Sequence, residues 1–266
     1  VCSSDLSLKI YTTLDSKLQR ASEVALERRL SALLFEGDGD ALQALSLRVS
    51  FWATAVSLPI GVFVAYALAR WRFWGREVLN GLVHLPLILP PVVTGYLLLV
   101  TFGRRGSVGA YLDQWFGIVF AFRWTGAALA AAIMAFPLMV RAIRLAIEAV
   151  DPRLEQAAST LGAGRVWVFA TVTLPLILPG VVAGAILAFA KAMGEFGATI
   201  TFVSNIPGET QTLPIAIYSV LQQPGGEAAA ARLSVIAVAL SLGALLVSQW
   251  LTRRTHAARS RHDVQP

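Results

Sequence analysis

Cysteine, histidine and charged residues are all scarce in this chain. Its 266 residues include a single cysteine, Cys2, and three histidines, His84, His256 and His262. One cysteine excludes an internal disulfide and a thiolate metal cluster, and histidines this far apart do not predict a metal site. Charged residues make up 14% of the chain and hydrophobic residues 56%, whereas soluble domains carry about 25% charged residues. The composition therefore predicts a membrane protein without a metal site.

Five apolar stretches are long enough, or nearly so, to cross a bilayer core, which needs about 20 apolar residues in a helix. They are residues 45–69, 78–102, 125–140, 166–190 and 233–251. The third extends in a helix to about residue 150, and the fourth continues through KAMGEFGATITFV. The chain is therefore predicted to be an all-α polytopic membrane protein with about five transmembrane helices. Three prolines in the second stretch, Pro86, Pro90 and Pro91, make it a poor continuous helix, which favours a transport pathway or a tight helix contact there.

Lysine and arginine in the short connections predict the orientation of these spans. Segments 70–77 and 141–165 and the tail after residue 251 hold eleven arginines, and connections 103–124 and 204–232 hold four. The richer side is predicted to be cytoplasmic, which places the C-terminus inside the cell. Because the basic residues sit at the ends of spans, the net charge of +6 is attributed to membrane topology, and no nucleic-acid partner is expected.

Residues 1–40 differ from the rest in composition. The run IYTTLDSKLQRASEVAL within residues 7–30 resembles a fragment of class A penicillin-binding proteins, although the catalytic serine motifs of that family are absent. Two hypotheses remain open for this segment, a spurious fusion and an extracytoplasmic extension. The predicted organisation is thus an N-terminal segment 1–40, a transmembrane domain 41–254 and a basic cytoplasmic tail 255–266.

A polar segment between the third and fourth spans, LEQAASTLGAGRVWVFATVTLP, begins at Leu154 and ends at Pro175. Asp151 is a predicted N-cap and Pro152 suits a first helical turn, so a helix is predicted over residues 152–161. Gly162 permits the chain to turn back towards the membrane, because glycine accepts backbone angles that other residues avoid. The orientation of the spans predicts that this helix faces the cytoplasm.

The spacing of this segment resembles the EAA loop of ABC importer permeases, which reads E-A-A, three residues, G, nine residues, I-x-L-P. Gln156 stands at the glutamate of the motif, with Glu155 next to it. The resemblance implies a coupling helix that docks on a separate ATPase. The coupling residues it implies are Glu155, Gln156, Ala157, Ala158, Gly162, Ala163, Arg165, Leu174 and Pro175.

Longer runs, among them HLPLILPPVVTGYLLL and KAMGEFGATITFVSNIPGETQTLP, resemble molybdate ABC transporter permeases from about residue 44 to 254. This resemblance implies a type I ABC importer permease fold in the bacterial inner membrane. It also implies a homodimer, two cytoplasmic ATPase subunits that bind ATP and magnesium, and an extracytoplasmic oxyanion-binding protein. No cofactor is then expected on this chain, and tungstate and sulfate remain open as substrates beside molybdate.

An oxyanion path needs hydrogen-bond donors more than fixed positive charge, because tight binding would prevent release. The candidate path residues are Ser57, Thr94, Gly95, Glu195, Gly197, Thr199 and Thr201. Close helix packing is the alternative explanation for the small residues among them. Lys191 and Glu195 are four apart, on one helical face, and a structural ion pair is favoured over a gate.

A secondary transporter and a membrane enzyme are the alternatives to a permease. A secondary transporter needs intramembrane acids for ion coupling, and Glu195 is the only candidate acid in the five stretches. A membrane enzyme needs a nucleophile with a base, a metal cluster or a phosphate loop. The sequence contains neither a GxxxxGK[ST] loop nor paired carboxylates, so no catalytic residue is predicted.

Overall fold

The computed structural model describes residues 39–239 and 241–243, and this described part is helical, without a β-strand. Residues 1–38 of the predicted N-terminal segment, the basic tail and the end of the fifth apolar stretch lie outside these residues. The helices are α1 Gly39–Arg70, α2 Arg76–Ile88, α3 Pro91–Phe102, α4 Gly109–Phe116, α5 Trp124–Glu148, α6 Pro152–Thr160, α7 Arg165–Val168, α8 Leu174–Met193, α9 Gly197–Val203, α10 Leu213–Leu221 and α11 227–239.

Three helical stretches within the described residues are long and apolar enough to cross a membrane. They are Ala41–Arg70, Trp124–Glu148 and Arg165–Met193, the last combining α7 and α8. Helices α2 and α3 together meet the same criterion but are bent by 114° at the break between them. The described part thus contains three candidate spans, or four if the bent pair is one span. The fifth predicted stretch is only partly described.

Helix α5 forms the centre of the bundle. It packs against α1 and α8 and also contacts α2 and α9. One reason is its composition, since small residues such as Ala127, Ala130 and Ala131 are fully buried and let neighbouring helices approach closely. Larger residues, including Met139 and Ile143, fill the remaining space with no exposed surface.

The second predicted span is broken by its prolines. Leu89 precedes Pro90 and has an extended backbone (φ −71°, ψ 144°), because a residue before proline is driven out of the helical region. Pro91 then opens α3 at the first helical position, where the missing N–H costs no hydrogen bond. The expectation that this stretch is a poor continuous helix is therefore confirmed, and the break falls at Leu89–Pro90.

A wider, π-helical turn joins α7 and α8. It spans Phe169–Thr173, and the N–H of Leu174 donates to the carbonyl of Phe169, five residues back. Pro175 explains this turn, because proline has no N–H to donate to Thr171 and its ring would clash with that carbonyl in a regular α-helix. This turn was not predicted from the sequence.

The long apolar run after residue 166 ends earlier than the sequence suggested. Helix α8 stops at Met193, and α9 begins after a break at Gly194–Phe196. Glu195 lies in this break with 2% of its side chain exposed, and its Oε2 accepts a hydrogen bond from Lys191 Nζ at 2.9 Å. Its Oε1 accepts from the N–H of Ala198 at 3.1 Å. The favoured ion pair is present, and it joins the end of α8 to the start of α9.

Helix α10 lies in a region expected to be a connection. Its buried residues include Leu213 and Val220, and they pack with Leu42 at the start of α1. The N–H of Leu213 donates to Ser46 Oγ at 2.8 Å. The predicted 204–232 connection thus contains an apolar helix that covers the beginning of the first span.

Helices α3 and α9 pack so closely that Gly95 cannot carry a larger side chain. A Cβ at Gly95 would lie 2.6 Å from the carbonyl oxygen of Ala198 and 2.9 Å from Thr201 Cβ. Gly95→Val should therefore lower the melting temperature in detergent, with overpacking costing about 1–3 kcal/mol. Gly81→Val in α2 is the control, because a Cβ there meets nothing within 4 Å. Equal melting temperatures for the two variants would contradict the close contact.

Candidate functional site

Helix α6 is a short, well-capped element that projects from the bundle. Asp151 Oδ1 accepts from the N–H of Arg153 at 2.9 Å, and Pro152 occupies the first turn. No residue of α6 is buried, and Leu154 is 49% exposed. The predicted helix over 152–161 is thus observed as Pro152–Thr160, with the expected N-cap.

A Schellman motif ends this helix. The N–H of Gly162 donates to Ser159 O at 3.1 Å, and the N–H of Ala163 donates to Ala158 O at 3.3 Å. Gly162 has a φ of +86°, in the left-handed region where a side chain is strained. The turn expected at Gly162 is present, and Ala163 contributes to it through its backbone.

The side chain of Glu155 fastens α6 to the bundle. Its Oε1 accepts from Thr173 Oγ1 at 2.8 Å, and its Oε2 lies 3.3 Å from Arg70 Nε in an ion pair. Arg70 in turn donates through Nη2 to Val150 O at 2.9 Å. We call Arg70, Glu155 and Thr173 the carboxylate clamp. It joins the end of α1, the π turn and α6.

The clamp is largely withdrawn from solvent. The side chains of Arg70 and Glu155 are 16% and 17% exposed, and Thr173 is fully buried. An ion pair shielded in this way is less screened by salt than a surface pair. Arg70 Nε makes no hydrogen bond to the carboxylate despite its proximity, so the guanidinium holds Glu155 by charge, and its Nη2 bond to Val150 O fixes its position.

Glu155 and Gln156, the two candidates for the acidic position of the motif, differ in their contacts. Glu155 points into the clamp, whereas Gln156 is exposed. Ala157 is also exposed and Ala158 is half-buried, so the outer face of α6 carries small side chains beside the exposed Arg153. Leu161 and Trp167 extend this exposed face with 88% and 67% of their surface accessible. The arrangement can present a partly apolar helix to a partner.

The remaining coupling candidates lie around the same end of the bundle. Arg165 is exposed at the start of α7, and Leu174 and Pro175 begin α8. Arg70 and Thr173, which complete the clamp, were not among the residues predicted from the sequence. Arg70 was expected to set the membrane orientation, because it lies at the basic end of the first span. Nothing in the sequence around it indicated a contact with Glu155.

Most of the path candidates come together where α3 meets α9. Thr94 and Gly95 lie on α3, and Gly197, Thr199 and Thr201 lie on α9. A Cβ on Gly197 would approach Pro91 Cβ to 2.7 Å. Ser57 is separate, since it lies on α1, which packs against α5 and α8. Close helix packing therefore accounts for the two glycines.

The hydroxyl groups of these candidates are not equally available. Ser57 donates to Ala53 O at 2.6 Å, Thr199 to Phe196 O at 2.8 Å and Thr201 to Gly197 O at 2.9 Å. Thr94 is 6% exposed, and its Oγ1 has no hydrogen-bond partner within the described part of the chain. A hydroxyl has one proton to donate, so Thr94 alone among the four keeps its donor free.

Residues that could hold a metal ion are not grouped in the described structure. Over residues 39–239 and 241–243, no three histidine, cysteine, aspartate or glutamate side chains are placed to bind one. The clamp contains one carboxylate paired with a guanidinium, and the α8–α9 break contains one carboxylate paired with an ammonium. Both acids therefore have a structural partner.

The sequence is similar to those of known transport permeases. Over 209 residues the chain is 63% identical to the molybdenum transport system permease protein ModB of Escherichia coli (strain K12), an alignment that covers 79% of this chain and 91% of the relative. Over 195 residues it is 37% identical to the sulfate transport system permease protein CysT of Salmonella typhimurium, covering 73% and 70%.

The fold is also found among solved structures. The inward-facing MetNI methionine ABC transporter contains a chain that matches with a TM-score of 0.64 at 15% identity, covering 85% of this chain and 97% of that one. The family described as binding-protein-dependent transport system inner membrane component matches residues 57–257. The chain therefore belongs to the family of inner membrane components of binding-protein-dependent transport systems.

Proposed function

We propose that this chain is the permease subunit of an ATP-driven importer that moves molybdate into the cytoplasm. The observation that supports molybdate as the substrate is the 63% identity, across 91% of the relative's length, to a molybdenum transport permease. The 37% identity to a sulfate permease keeps sulfate as the second candidate, since both cargoes are tetrahedral oxyanions. The family assignment favours this role over a secondary transporter and over a membrane enzyme.

The working assembly contains two copies of this chain, two ATPase subunits and an oxyanion-binding protein outside the membrane. ATP and magnesium are bound by the ATPase subunits. Helix α6 lies on the cytoplasmic side, together with the C-terminus, because the basic connections cluster at that end of the spans. The exposed face of α6, which includes Leu154, Gln156 and Ala157, docks in a groove of the ATPase.

The carboxylate clamp transmits motion of the docked helix. Glu155 binds both Arg70 at the end of α1 and Thr173 at the start of α8. A displacement of α6 therefore acts on two spans together, and both of them pack against the central helix α5. Movement of α6 can thus move the bundle, although this chain does not itself bind ATP.

The transport path runs past the contact of α3 and α9. Thr94 is the residue there with a free, buried hydroxyl proton. A neutral donor holds an oxyanion by a hydrogen bond while leaving it free to move on, since no counter-charge binds it. The shape of this contact is set by Gly95, Gly197, Thr199 and Thr201. The ion pair of Glu195 with Lys191 fixes the start of α9 relative to α8.

Gly162→Asp should abolish co-purification of the ATPase and molybdate uptake while leaving the amount of membrane-inserted protein unchanged. The φ of +86° at Gly162 is strained for aspartate, so the end of α6 must rearrange. Gly164→Asp is the matched control, because Gly164 is the N-cap of α7 with φ −67°, a position that favours aspartate. Wild-type uptake by Gly162→Asp would refute the docking role.

The substrates can be ranked by measuring how strongly tungstate and sulfate compete with molybdate for uptake by the wild-type transporter.

Glu155→Gln should uncouple ATP hydrolysis from transport. The amide can still accept from Thr173, but Arg70 loses its counter-charge, so α6 is held less firmly. We expect the ATPase to hydrolyse ATP while the molybdate imported per ATP falls at least about fivefold, at the lower end of typical coupling energies. Glu148→Gln removes the half-exposed ion pair with Arg144 and is the control. A proportional loss of hydrolysis and uptake would argue against transmission through the clamp.

Thr94→Val should slow uptake without destabilising the fold. Valine keeps the shape of threonine and removes a buried hydroxyl that has no partner in the described structure. We expect uptake at low molybdate to fall about fivefold, the worth of one hydrogen bond, with an unchanged or higher melting temperature. Thr201→Val is the control, since its hydroxyl already donates to Gly197. Similar uptake by both variants would remove Thr94 from the path.

A further inference from the structure

A large cavity opens between the end of α1 and the inner side of α6. It has a volume of about 880 Å³. Its wall includes three arginines, Arg70, Arg72 and Arg165, and the aromatic side chains of Trp71 and Phe73. Gln156, Ser159 and Thr160 of α6 also line it, so the cavity adjoins the proposed ATPase-docking face. Passage of an oxyanion through the α3–α9 contact does not use this space.

Two of the three arginines are unpaired. Arg70 is neutralised by Glu155 in the carboxylate clamp. The exposed side chains of Arg72 and Arg165 make no hydrogen bond and no ion pair with any residue that the structure describes. Glu155 is the sole acid among the residues that line the cavity. The cavity therefore has an excess of positive charge, and an anion would complement it.

A second, more apolar cavity continues from the first along the outside of α1. Its volume is about 320 Å³, and it shares Tyr66, Trp71 and Arg165 with the larger one. Its remaining wall consists of the apolar side chains Pro59, Val62, Phe63, Val166 and Phe169. The two cavities thus form one site with a cationic end and an apolar end.

Aromatic contacts hold the apolar end open. The ring of Tyr66 packs edge-on against Phe169 with centroids 5.0 Å apart, and Phe63 packs against Trp71 at 5.7 Å. These contacts join α1 to the π turn and to the residue that follows α1. The groove is therefore lined by side chains that hold each other in place.

We propose that this site binds one anionic phospholipid. Its phosphate lies between Arg72 and Arg165, and one acyl chain follows the groove past Phe63 and Val166. The depth is suitable, because Arg70 ends an apolar span of 30 residues, so the cationic end lies at the level of the lipid headgroups. Basic pockets between spans are suited to such headgroups, and a free phosphate ion would leave the apolar groove empty.

Native mass spectrometry of the full chain, purified with its ATPase subunits, tests the proposal. The complex is delipidated and titrated with phosphatidylglycerol or phosphatidylcholine of the same chain length. We expect preferential retention of phosphatidylglycerol and an about fivefold loss of that preference in Arg72→Gln, the effect of one arginine near an anionic surface. Arg104→Gln, at an exposed position after α3, is the control and should keep the preference.

A second variant separates a lipid from a free anion. Val166 is 83% exposed, so Val166→Trp can fill the groove without disturbing the core. It should lower retention of long-chain phosphatidylglycerol severalfold and leave the weak binding of glycerol 3-phosphate unchanged. Equal retention of the two lipids by the wild-type complex would overturn the proposal. So would an equal loss in Arg104→Gln, or displacement of the lipid by glycerol 3-phosphate alone.

Discussion

The contact between the Glu155 carboxylate, the Arg70 guanidinium and the Thr173 hydroxyl connects the projecting helix α6 to the apolar bundle. Without it, α6 would be a nine-residue polar helix joined to two spans only through its flanking loops. Such a short helix gains little from its own backbone hydrogen bonds. The Glu155 carboxylate attaches α6 to the bundle at a fixed point. One side of α6 there faces solvent, and the other side faces α1 and α8. The bundle behind it is held by small residues on α5, and the clamp orients α6 relative to that bundle.

Features governed by neighbouring residues were predicted well from the sequence. The cap at Asp151, the extent of α6 and the turn at Gly162 each depend on a few adjacent positions. The pair of Lys191 and Glu195 was predictable because the two residues are only four apart in the sequence. The break in the second span followed from the same kind of reasoning, since proline acts on the residue before it and on the carbonyl four back.

Features that depend on distant residues were not predictable in this way. The sequence places Gln156 at the acidic position of the EAA pattern, yet Glu155 is the side chain that points inward. The choice between them depends on where Arg70 and Thr173 lie, which is a property of the packed bundle. Thr94 could likewise be grouped with other hydroxyl-bearing residues, but only their hydrogen bonds distinguish it. Helix α10 was missed because an apolar helix of nine residues is too short for a span and reads as part of a connection.

The π turn at Phe169–Thr173 determines how the two ends of one span are oriented about their common axis. It holds one more residue per turn than an α-helix, and each residue in an α-helix advances the chain by about 100°. Side chains before the turn are therefore rotated by about that angle relative to those after it. Arg165 and Val166 can then face outward along α1, while Thr173 faces the carboxylate and Ile177 faces the core. A single inserted residue thus changes the direction in which the side chains of one span point. The same span can therefore contact the outer groove, the carboxylate clamp and the core.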